Sequence, residues 1–178
     1  MKRSKLNLDQ LNRLTPEEYT KSKKLPIVVV ADNIRSAMNI GSMFRTCDAF
    51  AVERLLLTGI SAKPPHREIT KTAIGATETV EWEYISRPVE VLQQYKDEGY
   101  RLISIEQTND STPLKEYLIE KSQKIILVFG NEVSGVSNEI IELSDDCIEI
   151  VQFGTKHSLN VSVCAGIVLW AFNTNPLK

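Results

Sequence analysis

Solid runs of apolar residues alternate along the chain with segments whose apolar residues recur every three or four positions. The runs lie at 27–31, 54–58, 81–85, 100–107, 124–132 and 147–154. Uninterrupted apolar runs of this length are typical of strands buried on both faces of a parallel sheet. Helices are predicted within 32–50 and at 88–99, 112–120, 137–145 and 158–172. The pattern therefore predicts an α/β domain in which helices cover both faces of a parallel sheet.

The first 25 residues have a different pattern and predict a separate helical arm ahead of a domain spanning 26–178. Thr15 directly before Pro16 predicts a helix that begins with a capping threonine and a proline at its first position. Seven basic and three acidic residues fall within 1–24, which leaves a charge of about −6 on the rest of the chain. Two interpretations remain open: an arm that contacts phosphates, or a solvated terminal helix.

Composition excludes several classes of protein. The sequence lacks the roughly 18–20 consecutive apolar residues of a membrane span, and its first residues lack the apolar centre of a signal peptide. Cys47, Cys147 and Cys164 are odd in number and have no metal-binding spacing, which predicts reduced thiols in a cytoplasmic protein.

Polar residues and glycines follow four of the predicted strands, where ligands bind in open α/β sheets. These segments begin at Asp32, Thr108, Asn131 and Thr155. Each one alone fits ordinary turn and capping chemistry, but four at one edge of a sheet favour a site. The glycine fingerprints of dinucleotide-binding and P-loop proteins are missing, as is the GxSxG elbow of hydrolases. His66 and His157 have no partners at metal-ligand spacing.

Three of these segments resemble the signature motifs of the SpoU/TrmH family of RNA ribose 2′-O-methyltransferases, within the SPOUT superfamily. They are NIRSAMNIGSMFRTCDAF after the first strand, LVFGNEVSGVS around Gly130, and IVQFGTKHSLNVSVCAG from Ile150 onward. The similarity covers roughly residues 26–172. The QF pair at 152–153 departs mildly from the family pattern and removes no functional group.

The resemblance implies a C-terminal trefoil knot that binds S-adenosylmethionine. Main-chain groups at Gly130, Ile150 and Leu159 are expected to hold this donor, with a contribution near Gln107 or Thr108. Recognition by main-chain groups explains why no single side-chain motif announces the site.

The same resemblance implies the catalytic residues. Arg45 is expected beside the ribose 2′-hydroxyl, either as the base or as a charged group that stabilises the developing alkoxide. Asn39 is expected to orient Arg45 or the ribose. Glu132, Ser158 and Asn160 are expected to complete the polar floor, with Ser158 also the N-cap of the last helix.

The resemblance further implies a homodimer in which each site is completed across the interface, and an RNA substrate. The chain carries only a short basic arm, which favours transfer RNA read by shape and phosphate contacts, with ribosomal RNA as the alternative. A non-catalytic RNA-binding protein on the same fold does not need this set of polar residues, and an oxidoreductase needs the missing glycine fingerprint. The segment 61–76 is expected to be either an RNA-facing loop or a plain surface loop.

Overall fold

Seven parallel strands form one sheet in the computed structural model, which describes residues 3–7, 9–118 and 123–174. The strands are β1 (Leu25–Asp32), β2 (Val52–Thr58), β3 (Trp82–Ile85), β4 (Arg101–Ile105), β5 (Thr112–Pro113), β6 (Ile125–Phe129) and β7 (Asp146–Glu149). Their order across the sheet is β3-β2-β1-β6-β4-β7-β5, and every pairing is parallel. All five residues of the central strand β6 are buried, as the uninterrupted apolar run predicts.

Helices cover both faces of the sheet. They are α1 (Pro16–Lys21), α2 (Ala37–Ala49), α3 (Arg67–Ala73), α4 (Ala76–Thr79), α5 (Pro88–Asp97), α6 (Asn138–Leu143) and α7 (Val161–Thr174), with a 3-10 helix at Asp9–Leu11. Side chains of a strand alternate between faces, so Val29 packs in the cluster that includes α2, α3 and α7. Val28 and Val30 pack instead against α5 and α6. The predicted layered α/β architecture is confirmed.

The arm is joined to the body through α1. The Thr15 side chain accepts a hydrogen bond from the main chain of Glu18, and the Glu18 carboxylate accepts one from the Thr15 main chain, which is the predicted helix start. Tyr19 is buried, and its hydroxyl donates to the Asp48 carbonyl over 3.2 Å. The described basic residues ahead of Tyr19 are exposed, so the arm presents its charge to solvent.

One predicted helix is not observed in the described residues, and another begins later than predicted. The segment 112–118 is not helical: Thr112 and Pro113 pair with β7, a turn follows, and the Leu114 amide donates to the Glu149 carbonyl. The pairing uses main-chain groups that a helix would need for its own hydrogen bonds. Residues 119 and 120 of the predicted helix lie outside the described part of the chain. The last helix begins at Val161 rather than at Ser158.

Half of the segment 61–76 is helical, because α3 and the first residue of α4 lie within it. Lys63 lies over the ring of Tyr84, with 4.0 Å from its ammonium to the ring centroid. Within the described residues, no helix is both long and apolar enough to cross a bilayer. Nor does that part of the chain group three or more metal-ligating side chains.

Candidate active site

Three loops converge at the carboxyl end of the sheet and enclose a cavity of about 530 Å³, called here the strand-end cavity. Its walls come from residues 105–107 after β4, 129–135 after β6, and the segment from 148 to 161 after β7. The central strands β6, β4 and β7 are neighbours, so their exits meet. The cavity falls within the usual range for small-ligand sites, about 300–1,000 Å³.

The loop after β6 is held closed by its own main chain. Asn131 and Gly135 exchange two main-chain hydrogen bonds of 2.9 and 3.0 Å. The Asn131 side-chain oxygen accepts from the amides of Val133 and Ser134 over 2.8 and 3.1 Å. Gly130 lies where this loop returns, and a Cβ there would overlap the main chain of Val136 and Gly135. Only glycine therefore fits at position 130.

Glu132 links this loop to the start of α2. Its carboxylate accepts hydrogen bonds from the Arg35 amide at 3.0 Å and the Ser36 amide at 3.1 Å. It also accepts a 2.9 Å bond from the side-chain amide of Asn39. These amides lie just ahead of α2, whose positive dipole end favours a carboxylate. Burial by itself raises the pKa of Glu132, but these hydrogen bonds outweigh it and hold the pKa below 4.5.

Asn160 extends the same link to α7. Its side-chain amide donates to the side-chain oxygen of Asn39 over 3.1 Å. Its own side-chain oxygen accepts from the Ser162 amide at 3.0 Å and so caps α7. Ser158, predicted as the cap, lies three residues ahead of the helix in a segment without regular secondary structure, so that part of the prediction is wrong. The chain Glu132–Asn39–Asn160 thus ties the β6 exit, α2 and α7 together.

Most of the predicted site residues surround the cavity. Gly130, Ile150 and Leu159, the predicted donor-binding positions, all line it, as do the predicted polar residues Ser158 and Glu132.

Thr108 is not among the residues that line the cavity. It lies one residue beyond the lining residue Gln107, in a turn where its hydroxyl donates to Asp110 over 2.8 Å. Gln107 instead reaches the loop after β7, since its side-chain amide donates to the His157 carbonyl over 3.1 Å.

Arg45 lies apart from the strand-end cavity. It lies on the outer side of α2, two turns beyond Asn39, in a groove of about 900 Å³ between α2, α3 and α7. The lining of this Arg45 groove includes three apolar side chains of α7, Val163, Ile167 and Trp170, with Trp170 62% exposed. Among the described residues, no carboxylate lies within ion-pairing distance of Arg45.

Two carboxylates were missed by the sequence analysis. Asp32 is 1% exposed and accepts hydrogen bonds from the hydroxyls of Thr58 at 2.7 Å and Ser137 at 2.6 Å. It therefore holds the β1 and β2 exits against the start of α6. Glu106 lines the cavity and accepts from the amides of Val136 and Gln107, each at 2.9 Å. Asp32 ends β1 and Glu106 directly follows β4. An acidic residue at a strand exit is the feature of the sequence that marks them, but it does not reveal their hydrogen-bond partners.

Known proteins resemble this chain in sequence. Residues 26–170 match the SpoU rRNA Methylase family. A tRNA (guanosine(18)-2′-O)-methyltransferase of Aquifex aeolicus is 32% identical over 163 residues, covering 90% of this chain and 74% of that protein.

Solved structures also resemble this chain in fold. The crystal structure of the A. aeolicus TrmH/SpoU tRNA modifying enzyme superposes with a TM-score of 0.80 at 30% identity, covering 89% of this chain and 79% of that one. The SpoU methyltransferase AviRb from Streptomyces viridochromogenes, in complex with AdoMet, shares the fold with a TM-score of 0.75 at 23% identity. That superposition covers 85% of this chain and 58% of AviRb. By its sequence match and its fold, the chain belongs to the SpoU rRNA Methylase family.

Proposed function

We propose that this protein transfers a methyl group from S-adenosylmethionine to a ribose 2′-hydroxyl of RNA. The observation that carries the proposal is the link Glu132–Asn39–Asn160, which joins the three motif segments beside one cavity. A protein that only binds RNA has no need of such a convergence at the end of a buried sheet. The A. aeolicus relative named as a 2′-O-methyltransferase supports the same chemistry.

The strand-end cavity is the proposed binding site of the methyl donor. Main-chain groups at Gly130, Ile150 and Leu159 would hold it, and their position on two facing wall segments, after β6 and after β7, supports this role. Thr108 remains a predicted contributor through its neighbour Gln107. When bound, the donor supplies an electrophilic methyl group on a sulfonium. The AdoMet complex of AviRb, which shares the fold, supports this choice of cofactor.

A trefoil knot at the C-terminal end is part of the proposal. Strand β4 lies between β6 and β7 in the sheet, although β6 and β7 follow each other in the chain. The segment after β7 then passes the β4 exit, where Gln107 contacts the His157 carbonyl, before α7 packs on α2. This crossing of neighbouring connections supports the predicted knot.

Arg45 is the proposed catalytic residue at the acceptor. A neutral arginine is costly to form in water, so a charged group that stabilises the alkoxide or a nearby phosphate is a better fit to this position than a base. Asn39 and Glu132 fix the start of the helix that carries Arg45. Ser158 and Asn160 line the cavity and complete the polar floor. Alignment of the acceptor oxygen with the methyl group is the main contribution of such a site.

A second copy of the chain is the proposed occupant of the Arg45 groove. The exposed apolar residues of α7 face that groove, and a stable interface needs such a surface. Because Arg45 lies outside the strand-end cavity of its own protomer, a dimer in which each site is completed across the interface brings the two together. The strand-end cavity is then the donor site and the Arg45 groove belongs to the interface.

Transfer RNA is the proposed substrate. The exposed basic residues of the arm supply phosphate contacts, and the A. aeolicus relative is named as a tRNA enzyme. Ribosomal RNA is the alternative, which the name of the family favours. The exposed residues Lys63, Arg67 and Lys71 extend the charged surface on the segment 61–76. A cytoplasmic location remains a prediction from the unpaired thiols.

Mass analysis of nucleosides tests the proposal. Purified protein is incubated with unmodified tRNA and with ribosomal RNA, each with deuterium-labelled S-adenosylmethionine. One labelled 2′-O-methylated nucleoside in tRNA is expected, and label in ribosomal RNA alone selects the alternative. Absence of label from both, together with no calorimetric binding of S-adenosylmethionine, overturns the proposal. Calorimetry with NADH serves as the control for an oxidoreductase.

A further inference from the structure

We propose that Glu106 makes the strand-end cavity prefer the positively charged methyl donor over the neutral product that remains after transfer. This inference rests on the proposed function and adds a residue that determines ligand specificity. It concerns which form of the cofactor the cavity retains, and therefore how readily the spent cofactor leaves.

The cavity is acidic. Its lining includes the carboxylates of Glu106, Glu132 and Glu149, and none of the described lining residues is lysine or arginine. His157 is the one lining residue that becomes cationic on protonation. A partly enclosed space with carboxylates and no fixed cation favours a ligand of positive charge.

Glu106 keeps acceptor positions for a ligand and, unlike Glu149, has both carboxylate oxygens held in place by main-chain amides. Glu132 directs both oxygens to the amides ahead of α2 and to Asn39. Glu149 accepts a 3.1 Å hydrogen bond from the Ser111 hydroxyl. Each oxygen of Glu106 accepts only one hydrogen bond, from Val136 or Gln107, and a carboxylate has about four acceptor positions.

The position of Glu106 is fixed by its surroundings. A Cβ at Gly135 would overlap its Oε2 atom, so the glycine leaves room for the carboxylate inside the loop after β6. None of the ion pairs among the described residues involves Glu106. Its negative charge is therefore not neutralised by a cation of the described chain and acts on whatever fills the cavity.

The reaction changes the charge of the ligand. S-adenosylmethionine carries a sulfonium, an ammonium and a carboxylate, so its net charge is positive. Transfer breaks the sulfur–methyl bond, forms the oxygen–methyl bond and leaves the electron pair on sulfur as a neutral thioether, while the hydroxyl proton passes to solvent. The attraction between Glu106 and the sulfonium is lost at that moment. The cavity thus releases S-adenosylhomocysteine more readily than it releases the donor.

Calorimetric titration of the full-length protein tests this inference. S-adenosylmethionine, S-adenosylhomocysteine and sinefungin, which carries an amine in place of the sulfonium, are each titrated into wild type and Glu106→Gln. The affinity ratio of donor to product is expected to fall by roughly fivefold to tenfold in the variant. Sinefungin is expected to follow the donor. Glu142→Gln is the control, since it removes the same charge from an exposed position on α6.

Equal losses of affinity for all three ligands overturn the inference. They would mean that Glu106 supports the conformation of the loop or contacts a part that all three ligands share. An unchanged ratio overturns it as well. If Glu106→Gln unfolds, the salt dependence of the wild type decides: donor affinity is expected to fall more steeply with sodium chloride than product affinity. Parallel salt dependences contradict the inference. Failure of the wild type to bind any of the three ligands refutes the proposed function instead.

Discussion

The strand-end cavity and the Arg45 groove differ in how they are built. The cavity is lined by polar loops that one protomer folds together, and hydrogen bonds join their side chains. The groove is lined mostly by apolar side chains of helices and contains one predicted catalytic residue, Arg45. The residues proposed to bind the donor thus all lie in one chain, whereas Arg45, proposed to act on the acceptor, lies on the surface proposed to pack against a second copy. Donor binding and catalysis should therefore respond separately to mutation.

Arg45→Ala gives the largest expected separation. Turnover is expected to fall by about 100-fold or more, because a charged group beside the developing alkoxide is lost. Affinity for S-adenosylmethionine is expected to stay within about twofold, since Arg45 does not line the strand-end cavity. Single-turnover methylation and calorimetry measure the two effects. Loss of donor affinity in this variant contradicts the division between the two regions.

Gly130→Val tests the cavity alone. The new side chain overlaps the main chain of the loop after β6, and donor affinity is expected to fall by more than about tenfold. Gly154→Ala is the matched control, because a Cβ there meets no atom within 4 Å. Calorimetry and thermal unfolding separate lost binding from lost folding. Wild-type donor affinity in Gly130→Val would show that the donor binds elsewhere.

Ile167→Glu tests the groove alone. A charge at this half-exposed position of α7 is expected to convert the dimer to monomers and reduce turnover by at least about tenfold. Donor affinity is expected to change little. Light scattering gives the oligomeric state, and Ile60→Glu is the control at an exposed isoleucine outside the groove. A variant that remains dimeric, or a wild type that is monomeric, contradicts the proposed interface at the Arg45 groove.

Asn160→Ala probes the link between the two regions. It removes the cap of α7 and the hydrogen bond to Asn39, with an expected loss of about 1 kcal/mol in the free energy of unfolding. Asn160→Asp keeps an oxygen for the cap but loses the amide donor. Denaturant unfolding measures the cap, and turnover measures the link. Equal turnover of Asn160→Asp and wild type argues against a role for the Asn39 contact.

The smallest expected effect is a pH dependence at Glu132. Its pKa is held below 4.5 in the folded protein, so its stabilising effect is present above the unfolded pKa and is lost as pH falls through the folded value. Because the side chain is exposed, the effect is expected to remain below about 1 kcal/mol. Unfolding free energies of wild type and Glu132→Gln are expected to converge as pH falls through and below the lowered pKa of Glu132. A difference that is constant from pH 3 to pH 7 contradicts this assignment.

The apolar pattern determines much of what could be predicted. Buried parallel strands need uninterrupted apolar runs, so β1, β2, β4 and β6 were readable from the sequence alone. The segment 112–118 was not, because its pairing with β7 is a long-range contact that helical spacing does not reveal. Serine and asparagine are both favoured at helix N-caps, so the sequence does not distinguish Ser158 from Asn160. The start of α7 in the structure shows that Asn160 is the cap.

The sequence predicted the residues of the strand-end cavity better than it predicted the position of Arg45. Gly130, Ile150 and Leu159 were identified from the family resemblance, and they line one cavity because the loops after parallel strands meet at one edge of the sheet. The location of Arg45 depends on which face of α2 the rest of the chain covers, and helical spacing alone does not show which face that is. Glu106 was missed because a strand that ends in glutamate is common and gives no pairing information.

A crystal structure of the protein with S-adenosylmethionine tests the central claim most directly. The account predicts the donor in the strand-end cavity of each protomer, against the main chain of Gly130, Ile150 and Leu159. A donor bound in the Arg45 groove or elsewhere, or a cavity that stays empty at saturating donor, would contradict it.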